Sequence, residues 1–196
     1  MTARGQTPSQ TVGPYFAYGL TPEQYGYRLK SIAHPTVGGL EAGGGPRILV
    51  EGRVLDGNGD PIDDAMIEIW QADAQGRYPG TDKAANSAFT GFARCGTGTD
   101  KDKRFIFETV KPGAADEGQA PHINVIVFAR GLLSHAYTRL YFADEAEANA
   151  ADPVLARVPE ARRGTLIAAR HETDRGVVYR FDIHLQGASE TVFFDV

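Results

Sequence analysis

From Val177 to Leu185 the chain alternates: Val177, Tyr179, Phe181, Ile183 and Leu185 fall on one side, and Arg180, Asp182 and His184 on the other. Successive side chains of an extended strand point to opposite faces, whereas a helix would scatter these five apolar residues around its circumference. The segment reads as a half-buried strand, which needs neighbours in a sheet and a second layer over its apolar face. The same reading applies to Ile48–Leu55, Ala65–Gln71, Arg104–Val110, His122–Ala129 and Tyr137–Phe142, with a short final strand over Thr191–Phe194. Asp56-Gly57-Asn58-Gly59-Asp60-Pro61 and Lys111-Pro112-Gly113 are turn signals, and Gly131 suits an antiparallel connection. The polar, Gly/Thr-rich stretch from Thr81 to Lys103 reads mostly as loop. Helical material is confined to Asp144–Ala169, as Glu145–Ala150 and Glu160–Ala169, broken by Pro153 and Pro159. The expected fold is all-β, a β-sandwich with short helices.

A chain of 196 residues supports one domain with extensions. Residues 47–196 are expected to form the sandwich. Residues 1–46 carry few strand signals and end in Gly43-Gly44-Gly45-Pro46. Tyr15, Phe16, Tyr18, Tyr25 and Tyr27 make this arm too apolar for a solvated tail, so it is expected to pack, on a partner subunit. The net charge of −5 and the lack of a basic block argue against a nucleic-acid or anionic-membrane partner. The single cysteine, Cys95, excludes an internal disulfide and fits a reducing cytoplasm. The first residues show no apolar signal region, and no apolar run is long enough for a bilayer.

The candidate chemistry lies near His122-Ile123-Asn124. Two residues apart on a strand, His122 and Asn124 share a face. Two imidazoles there would converge on one metal ion, but an amide carries no negative charge and binds transition metals poorly. Upstream, Trp70-Gln71-Ala72-Asp73 leads through Gly76 to Tyr78, which taken alone is a loop tyrosine.

In this order and spacing, Trp70–Tyr78, Lys111-Pro112-Gly113 and Pro121–Asn124 resemble the intradiol ring-cleaving dioxygenases. The resemblance implies a prealbumin-like β-sandwich and a non-haem Fe(III) held by two tyrosines and two histidines, whose phenolates offset the charge of a hard trivalent ion. Tyr78 matches the first tyrosine and His122 the first histidine. No tyrosine follows Lys111-Pro112-Gly113 before the histidine strand, Asn124 replaces the second histidine, and Gln119 stands where iron-bearing chains have an arginine. Asp116 and Glu117 could in principle supply carboxylates instead.

With half the ligands missing, the expectation is that this chain holds no metal. Some members of the family pair two homologous chains, one bearing the iron and one with a degenerate site. The resemblance places this sequence with the second kind, its Fe(III) held by a homologous β subunit in a higher-order oligomer that acts on a small aromatic substrate and O2. Thr7-Pro8-Ser9-Gln10-Thr11-Val12-Gly13-Pro14-Tyr15 matches an opening segment that in such chains lines the partner's cleft. That implies substrate contacts from Gly13, Pro14 and Tyr15. Phe128–Leu133 likewise implies a supporting role in catalysis and substrate binding for Arg130, which reads equally well as a solvated turn residue. Two rivals stand beside this reading: a self-sufficient catechol dioxygenase with altered ligands, and a non-catalytic transthyretin-like binding module.

Overall fold

The computed structural model describes residues 13–81, 88–115 and 118–195. Among them nine strands run β1 (Arg47–Leu55), β2 (Met66–Trp70), β3 (Phe92–Gly96), β4 (Arg104–Val110), β5 (His122–Phe128), β6 (Ala136–Phe142), β7 (Ile167–Thr173), β8 (Gly176–Arg180) and β9 (Ile183–His184). The hydrogen-bonded order is β3-β2-β5-β6-β7-β8-β1-β4, with β9 beside β1. Only two residue pairs join β6 to β7, Tyr141 with Ile167 and Phe142 with Ala168. At that junction the sheet divides into two halves. One apolar core takes Ile67, Ile69, Val125 and Val127 from the first half and Val50, Phe105, Phe107 and Tyr179 from the second, so the halves pack as the expected sandwich. Full burial of each such side chain contributes about 1.5–3 kcal/mol.

The alternating segment at 177–185 buries the expected face, with Tyr179, Phe181 and Ile183 in the core and Val177 and Leu185 packed against it. It is not one continuous strand. Between β8 and β9 the chain steps along β1, and Phe181 N–H donates to the Glu51 carbonyl at 2.9 Å. Gly52 permits this close crossing, because a Cβ there would lie 1.9 Å from the Phe181 carbonyl oxygen.

One expectation is refined and two are corrected. The stretch Thr81–Lys103 contains β3, which its pairing with β2 holds in place. The helix expected over Glu160–Ala169 stops as α4 (Glu160–Arg163) and a 3-10 turn, Gly164–Leu166, after which Ile167 enters β7. Thr191–Phe194 makes one isolated bridge, Phe194 to Tyr137, rather than a strand. The other expected helix forms as α3 (Ala146–Ala151).

Within the arm, α1 (Pro14–Leu20) starts with proline in its first turn, where a missing N–H costs nothing. A short helix α2 (Leu40–Gly43) follows. The intervening chain bridges β3 and β4, the two ends of the sheet path. Arg94 N–H donates to the His34 carbonyl, Glu108 N–H to the Pro35 carbonyl, and Val37 N–H to the Glu108 carbonyl. Gln24 accepts from Gly96 N–H and donates to Gly96 O at 2.7 Å. Edge groups that would invite another strand are thereby occupied. Among the described residues no helix is long and apolar enough to cross a membrane.

Candidate functional site

Pairing register brings the candidate residues together. Trp70 on β2 lies opposite Asn124 on β5, and Asn124 lies opposite Arg139 on β6. Directly paired residues of antiparallel strands share a face, so these three form a row on the outer surface of the first half. Ile126 and Tyr137 form the next row on the same face. With Phe193 and other residues of the C-terminal segment they line a cavity of about 780 Å³.

Tyr78 reaches this row from the loop after β2, and the loop is rigid for identifiable reasons. Asp73, which is buried, accepts from Gln75 N–H and Arg77 N–H at 2.9 Å each and pairs with the Arg77 guanidinium at 2.7 Å. Gly76 has φ 75°, and a Cβ there would meet the Ala114 carbonyl oxygen at 1.9 Å. The buried Gln71 side chain accepts from Thr109 and donates to the Val110 carbonyl, fixing this loop to the start of the Lys111-Pro112-Gly113 turn. The Tyr78 ring stacks on Trp70 with centroids 5.8 Å apart.

His122 is buried at the start of β5. Its Nδ1 lies 2.8 Å from the Ala120 carbonyl, an acceptor only, so Nδ1 carries the proton. Its Nε2 faces the Tyr78 hydroxyl at 3.4 Å. Asn124 donates through Nδ2 to the Tyr78 oxygen at 2.9 Å and to the Trp70 carbonyl at 3.3 Å. The amide N–H thus points at the phenol oxygen, where a metal-binding phenolate would need a cation. Ferric iron requires anionic donors to offset its charge. A phenol that receives an N–H, one imidazole and one amide do not fit it. Among the described residues no group of three or more His, Cys, Asp or Glu side chains is placed to hold a metal ion. Asp116 and Glu117 lie outside the described residues, as does the segment Thr7–Val12.

Gln119 accepts from Arg139 Nη1 at 3.2 Å, and the same nitrogen lies 3.4 Å from the Tyr141 hydroxyl. A guanidinium therefore stands beside the row, donated by β6. Burial pushes the Tyr141 phenol up to about 12, against the lowering effect of Arg139. Asp152 anchors the wall behind it, accepting from Tyr141, Leu155 N–H and Ala120 N–H. The sequence reading passed over Arg139, since only the pairing of β5 with β6 sets it beside Asn124.

The other candidates stand apart from this row. Gly13 precedes α1, Pro14 begins it, and Tyr15 is 85% exposed. The Phe16 ring packs on Phe128 at 5.7 Å, two residues before Arg130. Arg130 is exposed and pairs with Asp64. The arm and Arg130 thus gather at the far end of β5 from His122, on a surface that also exposes Leu133.

A family model described as Dioxygenase matches residues 12–187. The chain belongs to the intradiol ring-cleaving dioxygenase family. Among its relatives, the protocatechuate 3,4-dioxygenase alpha chain of Burkholderia cepacia is 59% identical over 198 residues, covering 100% of both chains. The beta chain from the same organism is 37% identical over 161 residues, covering 75% of this chain and 67% of that one. Among solved structures, 3-chlorocatechol 1,2-dioxygenase from Rhodococcus opacus 1CP superposes with a TM-score of 0.60 at 21% identity, covering 93% of this chain and 73% of the other. That likeness concerns the fold alone. As a member of the family, the chain is a component of a ring-cleaving dioxygenase.

Proposed function

We propose that this chain is the iron-free subunit of a two-chain protocatechuate 3,4-dioxygenase. The complex would cleave 3,4-dihydroxybenzoate between its hydroxylated carbons, adding both atoms of O2 to give 3-carboxy-cis,cis-muconate. The homologous beta subunit would hold the Fe(III), which supplies Lewis acidity when bound. The observation that carries this reading is the Asn124 N–H on the Tyr78 oxygen. The names of the alpha and beta relatives support the two-chain arrangement.

This chain's own part is to shape the partner's cleft. Residues 1–46 act as an arm against the beta subunit and residues 47–196 as the sandwich that carries it. Gly13, Pro14 and Tyr15 line the cleft, and Arg130, held by Asp64, offers a guanidinium to the substrate carboxylate or a developing anion. The exposure of Tyr15, Ile32 and Leu133 at 85%, 88% and 87% supports a buried contact with another chain. The assembly is a closed, higher-order oligomer of such pairs in the cytoplasm, without nucleic acid or membrane.

Native mass measurement with metal analysis tests this, on the chain produced alone and with a homologous beta chain. The expected result is iron only where the beta chain is present, in equal numbers with it. Stoichiometric ferric iron in the chain produced alone would favour a self-sufficient dioxygenase. A stable lone chain that never associates with the beta chain would favour a binding module.

A further inference from the structure

The cavity over the Trp70–Asn124–Arg139 row is within the range of small-molecule sites, about 300–1,000 Å³. Its walls are largely apolar: Trp70, Ile126, Val154, Val158, Val192 and Phe193 all contribute. Two guanidiniums, Arg139 and Arg157, enter it against one carboxylate, Asp195. Arg139 is half-buried, and the bonds it makes run to neutral groups, the Gln119 side-chain amide oxygen and the Tyr141 hydroxyl. Among the described residues no carboxylate forms an ion pair with Arg139 or Arg157, unlike Arg94, Arg104 and Arg180 elsewhere in the sheet. A half-buried guanidinium without a counter-charge is costly, and an arriving carboxylate would lower that cost through paired N–H···O bonds. The indole of Trp70 in the same wall provides a flat apolar surface for a planar ring.

We propose that this cavity binds an aromatic carboxylate, with the carboxylate on Arg139 and the ring among Trp70, Ile126 and Phe193. The site takes its ligand without turnover, because the neighbouring Tyr78, His122 and Asn124 donate and accept hydrogen bonds among themselves. In that one respect the inference rests on the iron-free reading. The binding itself requires no metal.

Trp70 is the only tryptophan of the chain, so its emission reports on the cavity directly. Benzoate is the probe: it has the ring and the carboxylate but no adjacent hydroxyls to chelate iron. It is titrated into the purified full chain with any subunits that accompany it, and the same titration of Trp70→Phe is subtracted to isolate the Trp70 signal. The expected result is a saturable change in Trp70 emission with benzoate, at least tenfold weaker with benzamide, its neutral counterpart. Arg139→Gln should remove the preference for benzoate. If that variant fails to fold, the benzoate and benzamide titrations of the unmodified chain decide alone. No saturable change, or equal binding of the two ligands, overturns the proposal. Iron content is measured separately, so a failure of the iron-free reading registers in that measurement and not in this one.

Discussion

Asn124 sets its side-chain N–H 2.9 Å from the Tyr78 hydroxyl oxygen and shares the same nitrogen with the Trp70 carbonyl. A hydrogen-bond donor therefore faces the phenol oxygen of Tyr78. The imidazole of His122 is equally committed, with its Nδ1 proton on the Ala120 carbonyl and its Nε2 toward Tyr78. The arrangement is a hydrogen-bonded cluster that ties β5 to the loop after β2.

Asn124→Leu is expected to destabilise the chain by about 1–2 kcal/mol, because the Trp70 carbonyl loses a donor and the Tyr78 oxygen loses its amide partner. Urea unfolding followed by far-UV circular dichroism measures this. A loss under about 0.5 kcal/mol, the range of an ordinary surface change, would mean that the cluster does not brace the loop.

Arg130→Ala should lower kcat/KM of the complete complex toward a carboxylated catechol while leaving the subunits associated. Arg130 is exposed, and its pair with Asp64 contributes no more than about 1 kcal/mol, so the variant should fold. Steady-state kinetics on the carboxylated substrate and on unsubstituted catechol separate the effects. An equal loss on both substrates would speak against contact with the carboxylate.

Glu51 gives a prediction for acid stability. Its carboxylate is buried on β1, accepting from Arg104 and Arg175 through one oxygen and from Arg180 through the other, at 3.2, 3.1 and 3.1 Å. Burial alone would raise this carboxyl, but the hydrogen bonds from Arg175 and Arg180 and the charge of Arg104 outweigh it and hold it below its ordinary value of 4.5. A depressed carboxyl stabilises the fold fully above its unfolded value and loses that contribution as pH falls through the folded value. Glu51→Gln should therefore cost at least about 1.5 kcal/mol near pH 7. The gap from the unmodified chain should narrow below pH 4.5. Unfolding midpoints between pH 3 and pH 7 measure it, and a gap that stays constant or widens in acid would contradict the assignment.

Strands with regular alternation or strong β formers were legible from the residues alone, because burial on one face leaves a period of two. The meeting of Tyr78, His122 and Asn124 was legible for the same reason: His122 and Asn124 share a face on β5, and Tyr78 ends a loop that its own Asp73 and Gly76 shape. β3 was hidden because Phe92-Ala93-Arg94-Cys95-Gly96 has little β preference of its own and is extended through pairing with β2. β7 was hidden because Ala168-Ala169-Arg170 favours helix, and its contacts with β6 and β8 override that preference.

The arm divides in the same way. Its aromatics led to the expectation that it packs on a partner subunit, whereas part of the described arm lies on the chain's own sheet, at His34, Pro35 and Val37. The choice of those strand ends depends on which strands finish the sheet, a property of topology that no local stretch contains. Arg139 escaped notice for a related reason. Within β6 it is one more polar residue, and it acquires a place beside Asn124 and Trp70 only through register.

The central claim is that Tyr78 binds no iron in the assembled enzyme. Iron per complex, measured by metal analysis together with the tyrosinate-to-iron absorption band, tests it on Tyr78→Phe beside the unmodified complex. An unchanged iron content and an unchanged band are predicted. Loss of iron or of part of the band from Tyr78→Phe would contradict it.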